Sequence, residues 1–112
     1  MDSFEERLNR MEFQIRLLAS LITKDEHPYM YMIIEKQLSE KEHQQVMELC
    51  GRLEQLHQKQ KAQGFVHFEG LLTLFVQELN ENLEVKETAQ ALFKQGLFPQ
   101  LMSDFLVMLD DY

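Results

Sequence analysis

The N-terminal part of the chain carries an unbroken pattern of apolar residues at coiled-coil spacing. Successive members of this pattern are separated by 4, 3, 4, 3 and 4 residues, which places them at the a and d positions of almost three heptads. The pattern predicts a helix over about residues 2–23 whose apolar stripe packs against a copy of itself. The residues that we assign to this oligomer interface are Phe4, Leu8, Met11, Ile15, Leu18 and Ile22.

A second apolar stripe, formed by Phe13, Leu17 and Leu21, lies on another face of the same helix. A helix with two apolar faces needs two partners, so we expect one face to pack on its own chain and the other on another copy. Arg7 and Glu12 have the g-to-next-e spacing of an ion pair between two parallel copies. The alternative is that both stripes are buried within one chain, since a/d spacing also occurs in ordinary helical bundles.

Turn and cap signals divide the rest of the chain into further helices. Pro28 suits the first turn of a helix, Ser39 and Glu42 have the spacing of a capping box, and Gly64 suits a helix end. The predicted helices cover about residues 28–37, 40–63, 68–79 and 85–96, and a last helix begins at residue 99. We therefore predict an all-α fold: a multihelical bundle of about five to six helices with a coiled-coil-like N-terminal helix.

One domain spans residues 1–112 in this prediction, with the helical core over about residues 28–110. The helix over residues 68–79 is the most apolar, and we expect it to be buried and central. The third helix has no apolar face beyond Leu56, so its end is expected to be solvated. The residues expected to face the core are Val46, Leu49, Cys50, Leu53, Leu56, Phe68, Leu71, Leu72, Phe75, Val76, Leu79, Ala89, Leu92, Phe93, Leu101, Met102, Phe105, Leu106, Met108 and Leu109.

Composition and charge narrow the classes of function. The 112 residues are 45% apolar, and 11 basic against 19 acidic residues give a net charge of −8. Such a chain repels phosphate backbones and anionic lipids, so we expect no nucleic-acid partner and no membrane partner. The single cysteine suits a reducing compartment, and the acidic N-terminal segment lacks the order of a signal peptide. We expect a cytoplasmic protein.

Several short runs resemble the YhaI-like family of small bacterial proteins of unknown function. The most similar run is residues 60–66, and residues 79–81, 87–88, 95–97 and 101–102 are similar too. The pattern of arginine, leucine, glutamate and glutamine between residues 7 and 18 extends the resemblance over nearly the whole chain. The resemblance implies an all-helical fold in a homo-oligomer, and it supplies no catalytic or ligand-binding motif.

The strongest candidate for chemistry is the pair Glu54 and His57. Its E-x-x-H spacing places a carboxylate and an imidazole on one helix face, as in di-iron sites, but such a site needs a second copy of the motif and two more glutamates. Only a symmetric oligomer would supply the second copy. We therefore interpret Glu54 and His57 as an exposed pair and predict no metal ligand.

The sequence favours structural roles for the other histidines, the cysteine and a glycine within a helix. His27, His43 and His67 lack the spacing of a zinc site, and we expect His67 to cap a helix or to half-bury its ring. Cys50 lies on an apolar helix face, which favours an inert core thiol over a nucleophile. Gly51 lies inside a helix at a cost in helix propensity, which close approach of another helix would explain. No catalytic residue and no cofactor site is predicted.

The sequence thus favours a non-catalytic, homo-oligomeric interaction or regulatory module rather than an enzyme. Its expected partner is a second copy of itself, as a dimer or trimer, or another protein. Two alternatives from other classes stay open: a metal-binding helical bundle built on Glu54 and His57, and a sensor of small apolar molecules lined by methionine and aromatic side chains.

Overall fold

The computed structural model describes residues 3–110, and within that range the fold consists of six α-helices with no strand. Residue 2, where the predicted N-terminal helix begins, and residues 111–112 of the predicted polar tail lie outside the described residues. The all-α multihelical prediction is confirmed. The helices are α1 (Phe4–Leu21), α2 (Pro28–Glu35), α3 (Glu40–Ala62), α4 (Glu69–Glu78), α5 (Val85–Lys94) and α6 (Pro99–Asp110).

The helix ends follow the predicted local signals. At the start of α3, the Glu42 N–H donates to Ser39 Oγ at 3.1 Å, and the Ser39 N–H donates to Glu42 Oε1 at 3.0 Å. This reciprocal capping box satisfies two donors that have no partner within the helix. After α3 the chain turns at Gly64, whose φ of 93° is favourable only for glycine.

The core lies among α2 to α6. In it, α5 packs on α2 and α6, while α3 packs on α4 and α6. The rings of Phe75 and Phe105 are 5.2 Å apart between centroids, and both side chains are fully buried. Each such side chain contributes roughly 1.5–3 kcal/mol by leaving water. These residues hold helices α2 to α6 together, and we call these five helices the body.

Three of the predicted core assignments are wrong, and so is the central position of α4. Val76 is 48% exposed and Phe93 is 43% exposed, while their neighbours Phe75 and Leu92 are buried. One residue along an α-helix is a rotation of about 100°, so a helix packed on one side buries one of two adjacent apolar residues and exposes the other. Helix α4 packs chiefly on α3 and leaves its other flank in solvent. Leu56 is the third of these residues and is 36% exposed.

The expected close approach of a helix at Gly51 is also wrong. A Cβ atom built on this residue meets no other atom within 4 Å. The glycine therefore costs helix stability without making room for a neighbour within the chain.

The whole molecule is elongated, with extents of 64 × 24 × 23 Å and a radius of gyration of 17.2 Å. A compact chain of this length would have a radius of gyration of about 13 Å. The 18 residues of α1 are about 27 Å long at 1.5 Å per residue, which accounts for the difference if α1 extends away from the body. None of the helices in residues 3–110 is long and apolar enough to cross a membrane.

Candidate functional sites

Helix α1 presents its a/d stripe to solvent. It buries none of its 18 residues, and its a and d side chains are between 40% exposed, at Leu8, and 76% exposed, at Phe4. Ile22, just beyond the helix end, is half-buried. The apolar side chains at a and d spacing are therefore exposed along the length of α1.

The second stripe of α1 is equally uncovered. Phe13, Leu17 and Leu21 are 52%, 49% and 79% exposed, so the expectation that this face packs on its own chain is wrong. The alternative that both stripes are buried within one chain is wrong for the same reason. At Ile22 the backbone becomes extended, with φ −93° and ψ 127°, and α1 ends before it reaches the core.

Local interactions stabilise the N-terminus of α1, but they do not hold the helix against the body formed by α2 to α6. Ser3 caps the helix, because its Oγ accepts a hydrogen bond from the Glu6 N–H at 3.1 Å. Glu5 and Glu6 in the first turn suit the positive end of the helix dipole. An isolated helix of this length is marginal in water, and most helices gain their stability from packing an apolar face. A partner for α1 would supply that packing.

A second site lies in the body, where His57 is buried instead of exposed. Only 1% of its surface is accessible, so the expectation of an exposed Glu54–His57 pair is wrong for the histidine. Its Nε2 is 2.6 Å from Asp104 Oδ2 on α6, and its ring meets the edge of Phe68 at 4.6 Å between centroids. Lys61 Nζ is 3.8 Å from the same Asp104 oxygen.

Beside His57 is a cavity of about 220 Å³ between α3 and the start of α6. Within it, Gln58 Nε2 donates to Glu54 Oε1 at 3.3 Å. Among residues 3–110, no three His, Cys, Asp or Glu side chains converge closely enough to hold a metal ion by themselves. The residues that line the cavity are Glu54, His57, Gln58, Pro99, Gln100 and Leu101.

The other histidines have the structural or surface positions that were expected, with one correction. His43 Nδ1 is 3.1 Å from the Tyr29 hydroxyl, and His27 is exposed beside Pro28. His67 is exposed, with Nδ1 3.9 Å from Glu69 Oε1, and Phe68 is the N-cap residue of α4. Both the predicted capping role and the predicted half-burial of His67 are therefore wrong.

Cys50 has the predicted place in the core. It is fully buried and free, and desolvation, with a smaller effect of the Glu54 charge, raises the pKa of its thiol to about 12. Burial likewise raises the pKa of Tyr29 well above its ordinary value. Both side chains therefore stay neutral and serve packing.

A groove of about 560 Å³ lies between α2 and α5, near the end of α1. Lys24 Nζ lies 3.7 Å from Glu35 Oε2 and 5.1 Å from the centroid of the Tyr31 ring. Charges of both signs share the groove with a few apolar side chains. Its lining residues are Lys24, Asp25, Pro28, Tyr31, Met32, Glu35, Glu87, Gln90, Ala91 and Lys94.

A family model described as a protein of unknown function (DUF1878) matches residues 1–110. The matched range includes α1 as well as helices α2 to α6.

Proposed function

The chain belongs to the DUF1878 family of proteins of unknown function, and we propose that it is a non-catalytic module that assembles into a homo-oligomer through α1. The observation that carries this proposal is the exposure of five of the six a and d residues on a helix that buries no residue. The proposed interface residues are Phe4, Leu8, Met11, Ile15, Leu18 and Ile22.

Charge complementarity favours a second copy of the chain as the partner of this stripe. In a parallel pair, Arg7 at g of one helix faces Glu12 at the next e of the other helix, on both sides of the interface. In an antiparallel pair, e positions face each other, so Glu12 would meet the Glu12 of the other copy. The parallel arrangement therefore gains two attractive pairs and avoids one repulsive pair.

The number of copies is two or three in this proposal. Ile15 and Ile22 at a positions with Leu18 at d favour two strands, whereas the bulk of Phe4 at d fits a wider core better. A different protein with a matching apolar stripe is the alternative partner. The molar mass in solution distinguishes these cases.

The test is the absolute molar mass by light scattering of the full chain and of a variant with Ile15→Asp and Leu18→Asp. Two carboxylates at the centre of the stripe would be buried without partners, which costs several kcal/mol per charge. We expect an oligomer for the parent chain and a monomer for the variant. A matched control with Asn9→Asp and Ser20→Asp adds the same charge outside both stripes and should keep the parent mass.

Two results would contradict the proposal: a monomeric parent chain, or a double variant that keeps the parent mass. Circular dichroism of the variant should show that the helical body still folds. A loss of mass in the control as well would point to charge repulsion rather than to the stripe.

We further propose that the protein is related within its family to the YhaI-like bacterial proteins and acts in the bacterial cytoplasm. The run over residues 60–66 supports the relationship. Cys50 supports the location, because a buried free thiol suits a reducing compartment.

Metal binding at Glu54 and His57 is the second candidate function, because both side chains line one cavity. A sensor of small apolar molecules has less support, since the groove between α2 and α5 is lined by lysines and carboxylates as well as apolar groups. An increase in melting temperature with an apolar ligand would favour the sensor.

A further inference from the structure

We infer that Glu54 and His57 bind one divalent first-row transition-metal ion, with the amide oxygen of Gln100 as the third protein donor and Asp104 as the residue that orients the imidazole. This inference rests on the second candidate function. It does not depend on assembly through α1, because α1 contributes none of the proposed ligands.

The contact with Asp104 determines which nitrogen of His57 is available to a metal ion. A carboxylate accepts hydrogen bonds, so the ring nitrogen at 2.6 Å, Nε2, carries the proton and donates it to Asp104 Oδ2. In the neutral ring, Nδ1 then has the free lone pair. Histidines that ligate metals commonly donate their second ring nitrogen to a carboxylate in this way.

His57 is one of the residues that line the cavity. Within the described residues, its side chain makes its one hydrogen bond through Nε2, so in the proposed site Nδ1 is the ring nitrogen that meets the ion. Packing against Phe68 holds the ring in this orientation.

The cavity supplies further donors of the right kind. Glu54 precedes His57 by three residues, so both side chains lie on one face of α3. Gln58 Nε2 donates to Glu54 Oε1 at 3.3 Å. Gln100 lines the same cavity from α6. One imidazole nitrogen with carboxylate and amide oxygens is a donor set for zinc, cobalt or manganese rather than for calcium.

The size of the cavity agrees with an ion and its water. About 220 Å³ is smaller than the pockets of roughly 300–1,000 Å³ that hold small organic ligands, whereas a water molecule takes about 30 Å³. Solvent would therefore complete the coordination of an ion held by three side chains. The negative charge of Glu54 favours a cation here, whereas the charge of Asp104 is already engaged by His57 and Lys61.

The experiment is a titration of the full chain, first treated with a chelator, with Zn²⁺ by calorimetry and with Co²⁺ by visible absorption. We expect one ion per chain with a dissociation constant below about 0.1 mM. Glu54→Gln should weaken binding at least about tenfold, and His57→Gln should abolish it. Asp104→Asn should weaken binding by about 10- to 100-fold while it keeps the fold, as expected of a residue that orients a ligand.

The matched control is His67→Gln, which removes an exposed histidine that also lies near a glutamate. This variant should bind like the parent chain. If His57→Gln fails to fold, the Glu54→Gln variant decides, because Glu54 is only partly buried. Absence of one-to-one binding, or binding that Glu54→Gln leaves unchanged, would overturn the inference.

Repeating the titration with the Ile15→Asp, Leu18→Asp variant separates the two proposals. Equal affinity in the parent and in this variant is the expected result, since all the proposed ligands come from one chain. Loss of metal binding together with the loss of assembly would overturn the single-chain site.

Discussion

Cys50 shows how burial alone sets the chemistry of a side chain. The thiol has no charged partner and no access to solvent, and its pKa is raised from 9.0 to about 12 by desolvation and, secondarily, by the Glu54 charge. The thiolate is the reactive form of cysteine. A thiol that stays protonated at neutral pH is inert, which agrees with a packing role.

The same shift predicts a loss of stability at alkaline pH. Between about pH 9 and pH 12 the thiol ionises in the unfolded chain but not in the folded one, so the unfolded chain binds fewer protons and the free energy of unfolding falls as pH rises. The slope from this one group is at most about 1.4 kcal/mol per pH unit. Below pH 9 the stabilisation is fully present.

Urea unfolding of the parent chain and of Cys50→Ala across pH 8 to 11 checks this prediction. The variant is less stable overall, but its free energy of unfolding should fall less steeply with pH. Equal slopes for the two chains would show that the thiol does not contribute. Cys50 is also a secondary cause of the raised pKa of Tyr29, so the difference in slope between the two chains includes a smaller contribution from the tyrosine.

His57 shows where residue-scale prediction fails. The E-x-x-H spacing correctly singled out Glu54 and His57 as two side chains on one face of α3. The polar neighbours of His57 made that face look solvated, because a local pattern contains no information about Phe68 and Asp104, which cover the ring from elsewhere in the chain. The partner that turns this histidine into a candidate ligand is 47 residues away.

At the scale of the helices, prediction succeeds where the signal is local. The capping box of α3, the proline of α2 and the glycine after α3 fix these helix ends by contacts within a few residues, and each was predictable. The start of α5 was predictable in position but not in mechanism, since Glu84 caps it through hydrogen bonds from the N–H groups of Lys86 and Glu87. Which side of α4 or α5 faces the core depends on helices that are far away in the sequence, and not on a local signal.

Helix α3 contains a glycine whose replacement should stabilise the protein. A Cβ at Gly51 meets no atom within 4 Å, so Gly51→Ala should raise the free energy of unfolding by about 1 kcal/mol through helix propensity. Urea unfolding measures the change. Gly64→Ala is the control with the opposite sign, because its φ of 93° strains any residue with a Cβ.

A destabilising Gly51→Ala would contradict this prediction. It would also show that something outside the single chain, such as a second copy, packs against α3 at this position. Light scattering of the same variant then distinguishes a lost contact between copies from a loss of helix stability.

At the scale of the whole molecule, α1 should be separable from the body. Because α1 buries none of its residues, a chain of residues 25–112 should fold with the core intact. Its main loss is the exposed ion pair between Lys24 and Glu35, and such pairs contribute about 0–1 kcal/mol. We expect a monomer with cooperative urea unfolding.

The Ile15→Asp, Leu18→Asp chain is the control for this truncation, since it keeps α1 but should not assemble. The two chains should unfold with free energies within about 1 kcal/mol of each other. A truncated chain that does not fold cooperatively would show that α1 stabilises the body through contacts beyond those of the single chain.

The fold class and the two stripes of α1 were predictable because they depend on periodicity. The position of α1 was not, because both stripes have the composition of a core face. The position of α1 relative to the core depends on the extended backbone after Leu21. The sequence at that point contains no strong signal for this conformation. The pattern therefore predicted that α1 needs partners, but not that both faces would be uncovered.

The separation of α1 from the body has a consequence for how such a sequence can change over generations. Side chains that share a core constrain one another, since a change in the volume of one must be matched by its neighbours. The residues of α1 and those of the body share no core within the chain. Substitutions that alter the number or identity of the partners of α1 can therefore accumulate without altering the body, and the body can diverge without altering the choice of partner.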